Sequence, residues 1–173
     1  GPRDATLRFA RKVIELPRRR YGQEEIEAMA ARLADAGRKL KAAERSGDPW
    51  TMHQAEARVR RFSDLLKKWK QSAGSSPGDA SPVRLEVQVL RIGALAIVAM
   101  PGEMFAEIGV AIKKASPFAF TMFAGYSSGT GGGYMPTEAE YAFGGYEIER
   151  TPYGRRAAQE LIEQATALFD EVR

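Results

Sequence analysis

The sequence predicts an α/β fold: a mixed sheet with flanking helices and an inserted antiparallel αα-hairpin. Three observations carry this. Residues 23–70 hold two stretches whose apolar residues recur at alternating three- and four-residue spacing, the period of an amphipathic helix. Val83, Leu85, Val87 and Val89 alternate with Arg84, Glu86 and Gln88, the two-residue period of a half-buried strand. Beyond that point strand and helix patterns take turns, as in an α/β layer. At 173 residues the chain is about the size of one domain, and folding should hide roughly 70% of its surface.

Leu7 to Leu16 reads as a strand closed by Pro17, and Arg18-Arg19-Arg20 follows it. The first helix runs from about Gln23 to Arg45 with Ile26, Met29, Leu33, Ala36, Leu40 and Ala43 on one stripe. Gly47-Asp48-Pro49 is a turn in which Asp48 caps the next helix and Pro49 takes its first position. That second helix reaches about Lys70 on a stripe of Met52, Ala55, Val59, Phe62, Leu66 and Trp69. Two such helices joined by a short turn form an αα-hairpin.

Small residues dominate 73–82, which reads as a linker. The organisation expected is therefore a strand and basic hairpin over 1–72, a linker over 73–82 and an α/β segment over 83–173, together one partial domain of a larger protein. Ile92-Gly93 is a tight turn, and Ala94 to Met100 an apolar run suited to a strand covered on both faces. After Pro101-Gly102, a short helix is expected from Glu103 to Ala115, a third strand from Phe118 to Ala124 and a terminal helix from Tyr153 to Val172.

Composition narrows the function. With 44% hydrophobic and 28% charged residues the chain is neither disordered, collagenous nor a coiled-coil rod. Without cysteine it has no disulfide scaffold, thiolate metal site or cysteine nucleophile. Its single histidine, His53, rules out a self-contained site needing two imidazoles, and its place off the apolar stripe suits a solvated side chain. No run of about 20 apolar residues is long enough to span a membrane. The opening Gly1-Pro2-Arg3-Asp4 is not a signal peptide and lacks an initiator methionine, which leaves two readings: a start inside a longer protein, or an expression scar.

Charge is uneven, with a net +8 through Ser72 and −4 after it, making the +4 of the whole chain. The two parts either complement one another or leave a face for an anionic partner, such as an anionic membrane surface. The Arg18–Arg20 run lacks the interleaved aromatics of a nucleic-acid reader, and nucleic acid is not an expected partner.

The chemistry-bearing candidates lie late in the chain. Ala115 to Thr137 contains no charged residue, and its Gly125–Tyr134 stretch is rich in glycine, serine and tyrosine. A long loop directly after a buried strand sits where α/β sheets place ligands, although it also fits a plain surface loop and lacks the Lys-Ser/Thr ending of a phosphate cradle. Glu103, following a buried strand and a Pro-Gly turn, is either a first-turn acid favoured by the helix dipole or a hard oxygen ligand or general base at the mouth of the sheet. Tyr126, Tyr134, Tyr141, Tyr146 and Tyr153 crowd the same region, either covering the sheet's end or offering phenol donors.

These residues carry a resemblance. Ala94–Glu103 with its Met-Pro-Gly-Glu ending, then Phe105 and Gly109, resembles the later part of the neutral/alkaline (non-lysosomal) ceramidase family. So does Gly125-Tyr126-Ser127 through Tyr134-Met135-Pro136-Thr137, then Glu140-Tyr141 and Gly144-Gly145-Tyr146-Glu147. The likeness is greatest to short bacterial members, which carry a helical insertion resembling Gln23–Lys70; its sharp motifs lie between Met100 and Glu147.

What the resemblance implies is a zinc-dependent amidase that cleaves the N-acyl bond of ceramide-like lipids. Glu103 would be a zinc ligand. Two histidine ligands would come from an N-terminal half, on a separate chain or a processed precursor. The family's asparagine falls on Ser128 and its ligand tyrosine on Thr130 or Gly131, while Tyr134 matches the pattern's second tyrosine. Tyr134 is therefore expected beside the metal or the transition state. Ser127, Ser128, Gly129, Thr130 and Gly131 would form the substrate pocket wall. The resemblance favours a periplasmic or secreted location. Two other classes stay open: a non-catalytic ceramidase-like binding module, and a basic interaction protein docking on anionic surfaces.

Overall fold

The computed structural model of the chain describes residues 6–74, 81–127, 129 and 132–173. The chain divides into two compact units, one of Gly1–Arg19 with Pro82–Arg173 and the other of Arg20–Ser81. The architecture is α/β, with a mixed four-stranded sheet in the first unit and a helical hairpin as the second.

In the first unit β1 (Leu7–Leu16) pairs antiparallel with β2 (Val83–Ile92), and β2 with β3 (Leu95–Ala99) across the turn at Gly93. The chain then crosses through α3 (Ala106–Ala115) to β5 (Phe120–Ala124), which lies parallel to β3. The sheet order is β1-β2-β3-β5.

One face of this sheet carries the core. Leu85, Val87 and Val89 of β2 are nearly inaccessible, as the period-two pattern requires, and join Ala96 and Val98 of β3. Over them lie Ile108 and Ile112 of α3 and Leu161, Ala165, Leu168 and Phe169 of the terminal helix α5 (Ala157–Glu171). Burying a valine, leucine, isoleucine or phenylalanine side chain contributes about 1.5–3 kcal/mol, so these residues dominate the stability of the unit.

The second unit pairs α1 (Gln23–Ser46) with α2 (Pro49–Gly74). The Glu25 carboxylate accepts from the Gly22 N–H at 2.9 Å to start α1. Asp48 caps α2, accepting from the Thr51 N–H at 3.0 Å, with Pro49 at the first helical position. Ile26, Met29 and Ala36 meet Phe62, Leu65 and Trp69 across the seam, and Tyr21 stacks on Trp69 at 4.3 Å. Leu65 was outside the expected stripe. His53 is exposed. Among the described residues no helix is long and apolar enough to cross a membrane.

Several boundaries differ from the sequence expectation. The second helix continues past Lys70 to Gly74, because nothing as disruptive as proline intervenes before residue 77. Residues 75–80 of the expected linker lie outside the described residues. The third strand starts at Phe120 instead of Phe118. The terminal helix begins at Ala157 because Tyr153 forms a β-bridge with Arg18, and the Gly154 N–H donates to the Pro17 carbonyl at 2.8 Å. Glu103, finally, is not in a helix. It forms β4 (Glu103–Met104), paired in parallel with β6 (Tyr134–Met135), and α3 begins three residues later.

Candidate functional site

The parallel arrangement of β3 and β5 decides where the site forms. Two parallel strands end at the same edge of the sheet, so the loops leaving them emerge side by side. From β3 the chain runs through Met100, Pro101 and Gly102 to Glu103; from β5 it runs through Gly125 to Tyr126 and Ser127. Backbone hydrogen bonds join these exits: Met100 N–H to Ala124 O at 3.1 Å, Tyr126 N–H to Gly102 O at 3.1 Å and Ser127 N–H to Met100 O at 3.1 Å.

A second small ladder brings in the third participant. The Glu103 N–H donates to Gly133 O at 2.9 Å and the Phe105 N–H to Met135 O at 3.1 Å, placing Glu103 opposite Tyr134 in register. With its N–H committed to strand pairing, Glu103 gains nothing from a helix dipole, and the expectation of a first-turn acid is corrected. The Thr151 hydroxyl donates to the Tyr134 carbonyl at 2.7 Å and fixes the outer side of this ladder. Tyr146, at the start of α4 (Tyr146–Arg150), meets the Tyr134 ring edge-on at 5.7 Å.

Glu103 is consequently met by two phenols. The hydroxyls of Tyr134 and Tyr126 both face its carboxylate within hydrogen-bonding reach. That contact holds the Tyr134 phenol neutral, with its pKa pushed up to about 12, and partial burial adds in the same direction. Tyr126 is pushed up for the same reason. Tyr126 is 76% exposed and sits at φ 56, a backbone region that non-glycine residues rarely occupy. Tyr126 was one of five tyrosines the sequence offered as phenol donors, and it meets Glu103 without having been singled out. Its signal in the sequence was its place two residues after a buried strand.

The structure thus brings Glu103 and Tyr134 together. Ser127 follows Tyr126 in the chain, and its hydroxyl donates to the Ala124 carbonyl at 2.7 Å and so closes the turn after β5. Gly129 is exposed. Ser128, Thr130 and Gly131 lie outside the described residues.

Chemically, the cluster is one carboxylate with two protonated phenol donors. A carboxylate of this kind is a zinc ligand by type, yet catalytic zinc sites take three protein ligands, usually including imidazole. Among the described residues no three His, Cys, Asp or Glu side chains converge. Among the described residues the donor set is therefore one carboxylate of a type that suits zinc, without the further ligands of a complete site.

No protein-family model and no curated protein matches the chain. Solved structures that match part of it include a ceramidase complexed with C2, with 30% identity and a TM-score of 0.45 over 53% of this chain and 16% of that one. Another is neutral ceramidase from Pseudomonas aeruginosa, with 28% identity and a TM-score of 0.45 over 58% of this chain and 18% of that one. The resemblance is to neutral ceramidase. The chain spans less than a fifth of either ceramidase chain.

Proposed function

We propose that this chain is part of a ceramidase-like, metal-dependent amide hydrolase acting on the N-acyl bond of a lipid amide. The reading rests on the meeting of Glu103 with the hydroxyls of Tyr126 and Tyr134, because the two stretches that carry the family's motifs converge on that one carboxylate. Glu103 is the ligand this chain contributes to zinc, and the remaining ligands come from an N-terminal half of the same enzyme. Zinc would supply a bound water of pKa about 7 and polarise the amide carbonyl.

The phenols do the chain's own share of the work. A phenol whose pKa is about 12 stays protonated at neutral pH. Once Glu103 is engaged by zinc, the Tyr134 hydroxyl would turn from that carboxylate and donate its one proton to the oxygen on which negative charge grows as water adds to the carbonyl carbon. The C–N bond then breaks as the nitrogen takes up the two protons of the added water, giving a fatty carboxylate and a protonated amine.

The test is hydrolysis of an N-acylsphingosine analogue by the chain assembled with its N-terminal half in the presence of zinc. Turnover is expected, and Glu103→Gln should abolish it together with stoichiometric zinc. Folded, zinc-loaded protein without turnover would overturn the hydrolase reading in favour of a binding module. Tight zinc on this chain alone, indifferent to Glu103→Ala, would remove Glu103 from the metal.

A further inference from the structure

The arginine run that follows β1 is not solvated throughout. Arg18 and Arg20 are exposed, but Arg19 between them is buried, at 8% exposure. A buried guanidinium gives up its hydration and persists where it is hydrogen-bonded or stacked. Arg19 is both. Its Nη1 donates to the Ile148 carbonyl, and its guanidinium lies 5.1 Å from the centre of the Tyr141 ring, with that of Arg155 5.2 Å from the same centre. The Arg19 N–H donates to the Pro152 carbonyl at 2.8 Å, so backbone and side chain hold the same segment.

What Arg19 grips is α4. A helix of five residues is too short to stand on its own hydrogen bonds, and this one starts from Gly145 at φ 102 without a side-chain cap. Its end has a specific gap. Four residues after Ile148 comes Pro152, which has no N–H, so the Ile148 carbonyl lacks its helical donor. The Arg19 guanidinium fills that place, and a cation at a helix C-terminus is also favoured by the dipole.

The other end of α4 faces the site. Tyr146, its first residue, packs edge-on against the Tyr134 ring at 5.7 Å. The pairing of β4 with β6 and the Thr151 hydroxyl fix the Tyr134 main chain. They leave the direction of its ring to whatever packs against it.

We infer that Arg19 is a positioning residue for the candidate site: by anchoring α4 it holds the Tyr146 ring against Tyr134 and so keeps the Tyr134 phenol at Glu103. The inference rests on the functional reading above for what Tyr134 does to a substrate. The positioning itself belongs to this chain alone.

Nuclear magnetic resonance on the full chain tests it. Lysine at position 19 keeps the charge but has neither the planar face nor the fork of arginine. In Arg19→Lys the Overhauser effect between the Tyr134 ring and the Glu103 side chain should fall about threefold or more, as its steep distance dependence gives for a displacement of about 1 Å. The methyl resonances of Val98 and Leu161, deep in the core, should stay in place. Arg19→Met, which removes the charge and keeps an unbranched stem, is read instead where the lysine variant does not fold. Tyr146→Ala leaves Arg19 untouched and should produce the same loss, and adding Arg19→Lys to it should cause no further change. An undiminished Overhauser effect in a folded Arg19 variant, or in Tyr146→Ala, would overturn the positioning. So would a role confined to stability, in which Tm falls and that contact stays.

Turnover of the lipid amide separates this inference from the hydrolase reading. Arg19→Lys should lower kcat about tenfold or more and leave KM within about twofold, because the Tyr134 donor acts in the transition state. Loss of the contact with unchanged turnover would support the positioning and strike Tyr134 from the chemistry. An intact contact would overturn the positioning whatever the turnover.

Discussion

Gly132 lies directly against Gly102: a Cβ on Gly132 would stand 2.5 Å from the Gly102 Cα, and a Cβ on Gly102 would stand 2.8 Å from the Gly133 carbonyl oxygen. Both residues also hold positive φ, +113° and +99°. This contact brings the stretch before Glu103 against the stretch before Tyr134, close enough for β4 and β6 to pair.

Replacing either glycine by alanine should therefore cost more than a strained backbone alone. The left-handed conformation costs about 1–2 kcal/mol, and forcing backbone atoms apart adds about 1–3 kcal/mol. Thermal unfolding should show Gly132→Ala lowering Tm by roughly 5–15 °C. Gly37→Ala, inside α1 with nothing within 4 Å, should instead stabilise by about 0.5–1 kcal/mol.

The Glu103–Tyr134 contact has a spectroscopic signature. Tyr134 should ionise only near pH 12, and Glu103→Gln should bring that ionisation back toward 10, read from the ultraviolet absorbance of tyrosinate. The folded state favours the neutral phenol, so its contribution to stability is complete below pH 10 and is lost as pH rises toward 12. A Tyr134 that titrates at 10 in both proteins would show that the carboxylate and the phenol are apart.

Tyr153 and Tyr141 should respond oppositely to loss of their hydroxyls. The Tyr141 hydroxyl donates to the Tyr153 carbonyl at 2.8 Å, so Tyr141→Phe should cost about 0.5–1.5 kcal/mol. The Tyr153 hydroxyl is buried with no hydrogen-bond partner among the described residues, and burial pushes its pKa up to about 12. Tyr153→Phe should leave denaturant stability unchanged or raise it, by up to about 1–3 kcal/mol. It should also flatten the loss of stability between pH 10 and 12, since a buried neutral phenol contributes below 10 and ceases to do so above its raised pKa.

In the hairpin, Trp69→Ala should cost about 3–5 kcal/mol, because it empties a nearly closed position and removes the stack on Tyr21. Loss of the near-ultraviolet circular dichroism of the pair, before loss of helix signal, is the expected readout.

Periodicity made most of the elements legible. The helical stripes of 23–70, the alternation of 83–89 and the Asp48-Pro49 cap are local signals, and local signals survive in the sequence because burial repeats every 3.6 residues in a helix and every second residue in a strand. Short elements were not legible. A two-residue strand such as Glu103–Met104 has no period to read, and an acid after Pro-Gly looks like a helix start until its N–H is seen bonded to Gly133.

Residue types and order alone determined an α/β chain with a helical hairpin, a lone carboxylate after an apolar strand, and tyrosines downstream. Only the tertiary structure decided that Glu103 meets both Tyr126 and Tyr134, and that β1 pairs with β2 across the inserted hairpin. Those facts depend on strand direction and register, which are set by hydrogen bonds between segments far apart in the chain.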